Sequence, residues 1–73
     1  MKYIVFMSLT DTTEQSYLLS DITCMKVEIA EDVYDYEEMQ KLHVKPQDAI
    51  IRISFNDSST KELIAKQYLI KYA

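Results

Sequence analysis

The chain has 73 residues and a mass of 8.6 kDa, about half the length of an average domain, so the sequence predicts one domain over residues 1–73. Hydrophobic residues make up 48% of the sequence and charged residues 27%, which are globular values and exclude a disordered chain. Because the sequence has one cysteine and no apolar run of about 20 residues, it excludes a disulfide framework and a membrane-spanning helix. We therefore expect a cytoplasmic protein without membrane contact.

The sequence contains no glycine. Glycine supplies positive φ in tight turns and lets a backbone approach a phosphate closely. Its absence excludes the P-loop, the dinucleotide fingerprint, the nucleophile elbow and the EF-hand loop. The turns must instead use Asp, Asn, Ser and Thr, which cluster at residues 10–13 and 56–59.

The first predicted element is a strand over residues 2–9, which are rich in β-branched and aromatic types and end at a cluster of turn formers. The next segment, residues 12–20, fits two readings. Thr12 and Gln15 have the spacing of a helix capping box, and the apolar residues that follow alternate as in a strand. Both readings stay open.

The middle of the chain predicts a strand and then a helix. Residues 23–30 place Met25, Val27 and Ile29 on one side and charged side chains on the other, the alternation of a half-buried strand. Residues 31–43 begin with acids and end with bases, an order that suits the helix macrodipole, so a helix is predicted there.

The last third predicts a strand and a C-terminal helix. Residues 49–55 alternate in the manner of a strand. Ser59 and Glu62 have capping-box spacing, and over residues 60–72 the apolar side chains gather within about 140° at helical periodicity. The expected fold is a small α+β domain: an antiparallel sheet of three to five strands with these two helices packed on it.

A weak internal repeat crosses these elements. Residues 7–14 match residues 53–60 at an offset of 46, which suggests a duplicated strand–turn–element unit. In one interpretation Asp11 and Asp57 start hairpin turns and a second strand follows each. In the other interpretation they start helices.

Cys24 and His43 are the only cysteine and histidine. Cys24 opens an alternating strand, so we interpret it as an inert, half-buried thiol. His43 has no second imidazole or thiol at metal-ligand spacing, so we interpret it as an exposed residue at a helix end. The sequence thus predicts no enzyme activity, no metal site and no cofactor.

The acidic segment, residues 28–38, is the one feature that points to a function. It carries six acids and no base, and its two tyrosines are of the type enriched in binding hot spots. On a helix, three of the acids would form a row about 5–6 Å apart, similar to phosphates along a nucleic-acid strand. The predicted partner-binding residues are Glu28, Glu31, Asp32, Tyr34, Asp35, Tyr36, Glu37 and Glu38.

We therefore expect a non-enzymatic inhibitor that mimics nucleic acid and blocks the basic groove of a partner protein, by analogy of size and charge with bacteriophage proteins that act against host or defence proteins. Direct nucleic-acid binding is not expected, because the net charge is −4. One alternative is a homodimeric structural or regulatory module whose acidic face is only solvated. A further alternative is a small-ligand-binding domain.

Overall fold

The structure is a computed structural model that describes residues 1–41 and 48–73. Its strands and helices follow one another in a simple order, with two 3-10 turns named η1 and η2. In chain order they are β1 (Tyr3–Ser8), β2 (Glu14–Leu18), η1 (Leu19–Asp21), β3 (Ile22–Ile29), β4 (Asp32–Asp35), α1 (Tyr36–Lys41), β5 (Ile50–Phe55), β6 (Thr60–Ile64), η2 (Ala65–Gln67) and β7 (Tyr68–Tyr72).

The strands form two antiparallel sheets. One has the order β2-β1-β7, and the other has the order β4-β3-β5-β6. Within the described residues, α1 is the one α-helix, and it has six residues. The predicted α+β class with a C-terminal helix is therefore wrong: the protein is nearly all-β.

The three predicted strands are present as β1, β3 and β5, each within one residue of its predicted ends. Residues 12–20, which the sequence left open, contain strand β2 followed by the start of η1.

The predicted helix over residues 60–72 is instead β6, η2 and β7. Leu63 points inward from β6, and Tyr68 and Ile70 point inward from β7. The inward-facing residues therefore have odd numbers before η2 and even numbers after it, because the three residues of η2 interrupt the alternation. This change breaks the two-residue period and produces spacings that resemble a helical stripe.

The predicted helix over residues 31–43 is also wrong in its first part. Residues 32–35 form β4, which pairs with β3 from Lys26 opposite Asp35 to Ile29 opposite Asp32. The helix begins only at Tyr36. The predicted helix end and His43 lie outside the described residues.

The internal repeat is a hairpin, a 3-10 turn and a strand. β2 and η1 correspond to β6 and η2 at an offset of 46 residues. Upstream of the turn the offset is 47, because the first hairpin closes between Ser8 and Thr13 and the second between Phe55 and Ser59, one residue shorter. The hairpin interpretation of the repeat is thus confirmed.

The same side-chain chemistry builds both hairpin turns. Asp11 Oδ1 accepts hydrogen bonds from the backbone N–H and the hydroxyl of Thr13, at 3.1 and 2.8 Å. Asp57 Oδ1 accepts the equivalent bonds from Ser59, at 2.9 and 2.5 Å. These bonds, led by the hydroxyl bond, lower the pKa of both carboxyl groups.

The third strand of each repeat lies in the other repeat's sheet. β7 pairs with β1, and β3 pairs with β5. Two backbone bonds repeat this exchange, since Leu9 N–H donates to Gln67 O at 3.0 Å and Asn56 N–H donates to Asp21 O at 2.9 Å. The two sheets are therefore related by a pseudo-two-fold exchange of strands.

The core lies between the two sheets. Ile4 and Phe6 of β1 and Ile51 and Ile53 of β5 are at most 2% exposed and belong to one cluster. Leu69, which the predicted helix would have buried, is 52% exposed because it faces outward from β7.

Among residues 1–41 and 48–73, positive φ occurs at Thr12, Ala30 and Ser58. Ala30, at φ 56°, turns β3 into β4 and has no side-chain group that could hydrogen-bond to the backbone. For an L-residue this conformation costs about 1–2 kcal/mol. Ala30 is thus the clearest place where the absence of glycine strains the chain.

Ala30→Gly is expected to raise the free energy of unfolding by about 0.5–1 kcal/mol. Relief of the left-handed strain outweighs the roughly 0.4–1 kcal/mol by which glycine favours the unfolded chain. Urea unfolding measures the change. The matched control is Ala65→Gly in η2, where φ is not positive and the substitution should destabilise the protein. A less stable Ala30→Gly variant would show that the turn is not strained.

Candidate functional site

The acidic segment follows the edge of the four-stranded sheet and then turns into α1. Glu28 lies near the end of β3, Glu31 lies in the turn to β4, and Glu37 and Glu38 lie in the first turn of α1. The predicted helical row of Glu31, Asp35 and Glu38 is wrong, because these residues occupy a turn, a strand and a helix.

Two acids of the segment are held in ion pairs on the outer face of this sheet. Lys26 pairs with Asp35, which raises the pKa of the Lys26 ammonium through their hydrogen bond and the nearby charge. Arg52 Nη2 lies 3.3 Å from Glu28 Oε2, and Arg52 Nε lies 3.1 Å from Glu62 Oε1. These pairs form a charged ladder across four strands, since Lys26 stands opposite both Asp35 and Arg52 in register.

Four acids of the segment stay available. Glu31, Asp32, Glu37 and Glu38 are exposed and form no ion pair within residues 1–41 and 48–73. The acidic segment therefore still presents concentrated negative charge after Asp35 and Glu28 have formed their ion pairs.

The two tyrosines of the segment differ. Tyr34 is 36% exposed, as a surface contact requires, whereas Tyr36 is 8% exposed and belongs to the core. The Tyr36 hydroxyl accepts a hydrogen bond from Gln40 Nε2 at 3.1 Å. Tyr36 also lines a groove beside the acidic segment, so a partner can contact Tyr36 only from within that groove.

A groove of about 620 Å³ lies beside the acidic segment. Asp35, Glu37 and Glu38 line one side of it, and Leu19, Ile22 and Met25 give it an apolar part. None of the described residues that line it is a lysine or an arginine. We name it the acidic groove.

The remaining lining residues of interest are Cys24, Tyr36 and Tyr72. The prediction for Cys24 as a half-buried thiol agrees with its intermediate burial. The sequence did not point to Tyr72, because its place in the groove depends on β7 returning to β1, about 60 residues away along the chain.

The surroundings of the groove also raise the pKa values of two tyrosines that line it, Tyr36 and Tyr72. Burial, with a smaller contribution from Tyr72, raises the pKa of Tyr36 to about 12. Partial burial and the negative charge of Glu37 raise the pKa of Tyr72. A negative field thus reaches into the groove and favours positive charge there.

Within residues 1–41 and 48–73, no three His, Cys, Asp or Glu side chains converge so as to hold a metal ion. No helix in this part of the chain has the length and apolar character needed to cross a membrane.

No protein-family model matches the chain, and comparison with curated proteins and with solved structures gives no match either. The functional argument therefore depends on the geometry and charge of the site.

Tyr36 makes the stability of the protein sensitive to alkali. Its pKa is higher in the folded protein, so above about pH 10 the unfolded chain loses the phenolic proton first and gains stability relative to the folded one. The free energy of unfolding keeps its full value below about pH 10. It falls by on the order of 2–3 kcal/mol as the pH rises towards about 12.

Tyr36→Phe removes this titration. Urea unfolding at about pH 9 and about pH 11 should show a smaller loss of stability in Tyr36→Phe than in the parent. The matched control is Tyr3→Phe at an exposed position, which should lose as much stability as the parent. An unchanged pH dependence in Tyr36→Phe would contradict the assignment.

Proposed function

We propose that this protein is a non-enzymatic module that binds a partner protein with a basic surface through the acidic segment. The observation that carries the proposal is the set of exposed carboxylates on Glu31, Asp32, Glu37 and Glu38, which have no ion pair among the described residues. In this proposal the protein acts as an inhibitor of the bacteriophage type, occupying a groove of the partner that otherwise holds nucleic acid.

The distribution of charge supports the proposal. The whole chain has a net charge of −4, and residues 28–38 contribute six acids and no base, or −6. The remaining residues contribute six acids and eight bases, or +2. A molecule polarised in this way attracts a basic surface in one orientation and repels the phosphate backbone of nucleic acid.

The proposal no longer relies on phosphate-like spacing along one helix. It relies on charge density at the sheet edge and on the acidic groove, where an aliphatic stem can contact apolar side chains while its cationic head faces carboxylates. Lysine and arginine side chains have this two-part character.

The double variant Glu37→Gln/Glu38→Gln should slow association with a capped lysine-rich peptide by about tenfold at low salt, because electrostatic steering raises on-rates by about 10–10³. The difference from the parent should shrink at about 1 M salt, where the Debye length is about 3 Å. Stopped-flow fluorescence measures the rates.

The matched control removes the same charge elsewhere. Glu14→Gln/Asp21→Asn changes two exposed acids outside the acidic segment and should leave the on-rate close to that of the parent. Equal slowing by both double variants would mean that only net charge matters, and the proposed binding surface would be wrong.

A second candidate function, a homodimeric module, is favoured by one observation. The outer face of the β2-β1-β7 sheet carries the apolar side chains of Tyr3, Val5, Met7, Leu18 and Leu69, and the register places Glu14, Ser16 and Lys71 among them. Tyr3 and Leu69 are 37% and 52% exposed, whereas Val5 is 4% exposed beneath its cross-strand neighbours. We name this set the apolar face.

The repeat provides an internal comparison for the apolar face. At the offset of 47 residues, Val5 corresponds to Arg52, which forms ion pairs with Glu28 and Glu62 on the other sheet. The position of Val5 is therefore apolar on one sheet and charged on the other. A second copy of the chain is the occupant that this candidate function requires.

Size limits the strength of such a dimer. Three strands about 4.8 Å apart present on the order of 300 Å², well below the roughly 800 Å² per partner of a standard interface. Sedimentation equilibrium at high micromolar concentration should then show partial dimerisation that Leu69→Lys abolishes. A mass of 8.6 kDa for the parent under these conditions would contradict the dimer.

A further inference from the structure

β7 has one open edge. Tyr3 and Ala73 exchange two backbone hydrogen bonds of 2.9 Å each, N–H to O in both directions. Because bonded and non-bonded pairs alternate along an antiparallel ladder, Lys71 and Leu69 also direct their backbone groups at β1. The backbone groups of Tyr68, Ile70 and Tyr72 therefore point away from β1.

Most of these outward groups have no partner among the described residues. The N–H of Tyr68 donates to Ala65 O, while β7 pairs with β1 alone within the described part of the chain. The N–H and C=O groups of Ile70 and Tyr72 are thus left available. In the other repeat, β4 covers only the far part of the corresponding strand β3, from Lys26 to Ile29.

The other edge strands, β2, β4 and β6, carry more protection than β7, and β2 has only two apolar or aromatic residues, Tyr17 and Leu18. β4 has four residues with an acid at each end, and β6 presents Lys61 and Glu62. Short length and charged side chains discourage pairing with another strand. β7 has five residues, and Lys71 is its single charged residue while the other four are apolar or aromatic, so its edge is the best template for a further strand.

The open edge adjoins the acidic groove. Tyr72 lines the groove together with Asp35, Glu37 and Glu38. The charge of Glu37 acts on the Tyr72 hydroxyl and contributes to its raised pKa. A strand added to β7 would therefore run beside the carboxylates of Glu37 and Glu38, whereas Asp35 is held by Lys26.

We propose that an extended, basic segment of a partner protein adds to β7 as an eighth strand and places lysine or arginine side chains over Glu37 and Glu38. Backbone hydrogen bonds to Ile70 and Tyr72 supply binding energy, and the acidic groove supplies selectivity for positive charge. This inference rests on the proposed function and names the partner chemistry and the mode of binding.

Charge favours a basic segment over a second copy of the chain at this edge. Pairing β7 with β7 of another molecule across a two-fold axis would bring two acidic grooves together. Each copy has a net charge of −4, concentrated in the acidic segment, so the contact would be repulsive. A basic strand has the opposite, attractive sign.

The test uses the full chain and a capped peptide of alternating lysine and valine as long as β7. Hydrogen exchange of the Ile70 and Tyr72 amides should slow by about tenfold at a peptide concentration about ten times Kd. The same peptide with alternate backbone nitrogens methylated should bind at least about tenfold more weakly, because it cannot form the ladder.

Variants of Tyr72 separate the backbone from the ring. Tyr72→Pro removes the outward N–H and should weaken peptide binding, whereas Tyr72→Val keeps the N–H and should weaken binding less than Tyr72→Pro does. Thr60→Pro makes the same change at the start of the β6 edge, where proline is tolerated, and should have no effect on binding. Circular dichroism checks folding.

The outcomes are distinct. Equal binding of the methylated and unmethylated peptides, or parent-like binding by folded Tyr72→Pro, overturns strand addition while charge-dependent binding keeps the proposed function. If Tyr72→Pro does not fold, the methylated peptide still decides. Amide protection that rises with protein concentration without peptide assigns the edge to a second copy and overturns the inference. Failure of the parent to bind the lysine peptide overturns both proposals.

Discussion

Two central strands packed face to face hold this molecule together. Ile4 and Phe6 on β1 and Ile51 and Ile53 on β5 are at most 2% exposed, and burying each such side chain contributes about 1.5–3 kcal/mol. Every other strand depends on these two directly or through one neighbour: β2 and β7 flank β1, β3 and β6 flank β5, and β4 flanks β3. The acidic groove lies where β7 of one sheet stands beside β3 and α1 without backbone pairing.

The two outer faces show how one architecture can carry opposite chemistry. On the four-stranded sheet, Arg52 and Lys26 are compensated by acids from neighbouring strands, so part of the acidic segment serves structure. On the three-stranded sheet, Val5 is covered by its own cross-strand neighbours. The acids left over lie at the far edge of the charged sheet, in the turn before β4, in β4 and in α1. That location separates a surface suited to cations from a surface suited to apolar contact.

Short-range patterns predicted part of this fold. Alternation was sufficient for β3 and β5, composition was sufficient for β1, and the Asp11 and Asp57 clusters marked both hairpin turns. The predicted C-terminal helix was wrong because η2 shifts the inward-facing positions from odd to even residue numbers between Leu63 and Tyr68. This shift gives the apolar side chains a spacing that fits helical periodicity. The acids of the site were identified by charge density alone. Tyr72 and the groove could not be predicted, because they depend on pairing between the two ends of the chain.

The exchange of third strands also has a kinetic consequence. β1 pairs with β7 through contacts such as Ser8 with Tyr68, and the cost of closing so long a loop must be met before the contact forms. Neither repeat contains a complete sheet, so neither half provides a nucleus that can fold first and template the other. We expect slow, strongly cooperative folding for a chain of this size, since non-local pairing lowers folding rates. On the ribosome, the three-stranded sheet cannot close until Tyr68–Tyr72 have emerged, and β1 must until then remain without one of its two partners.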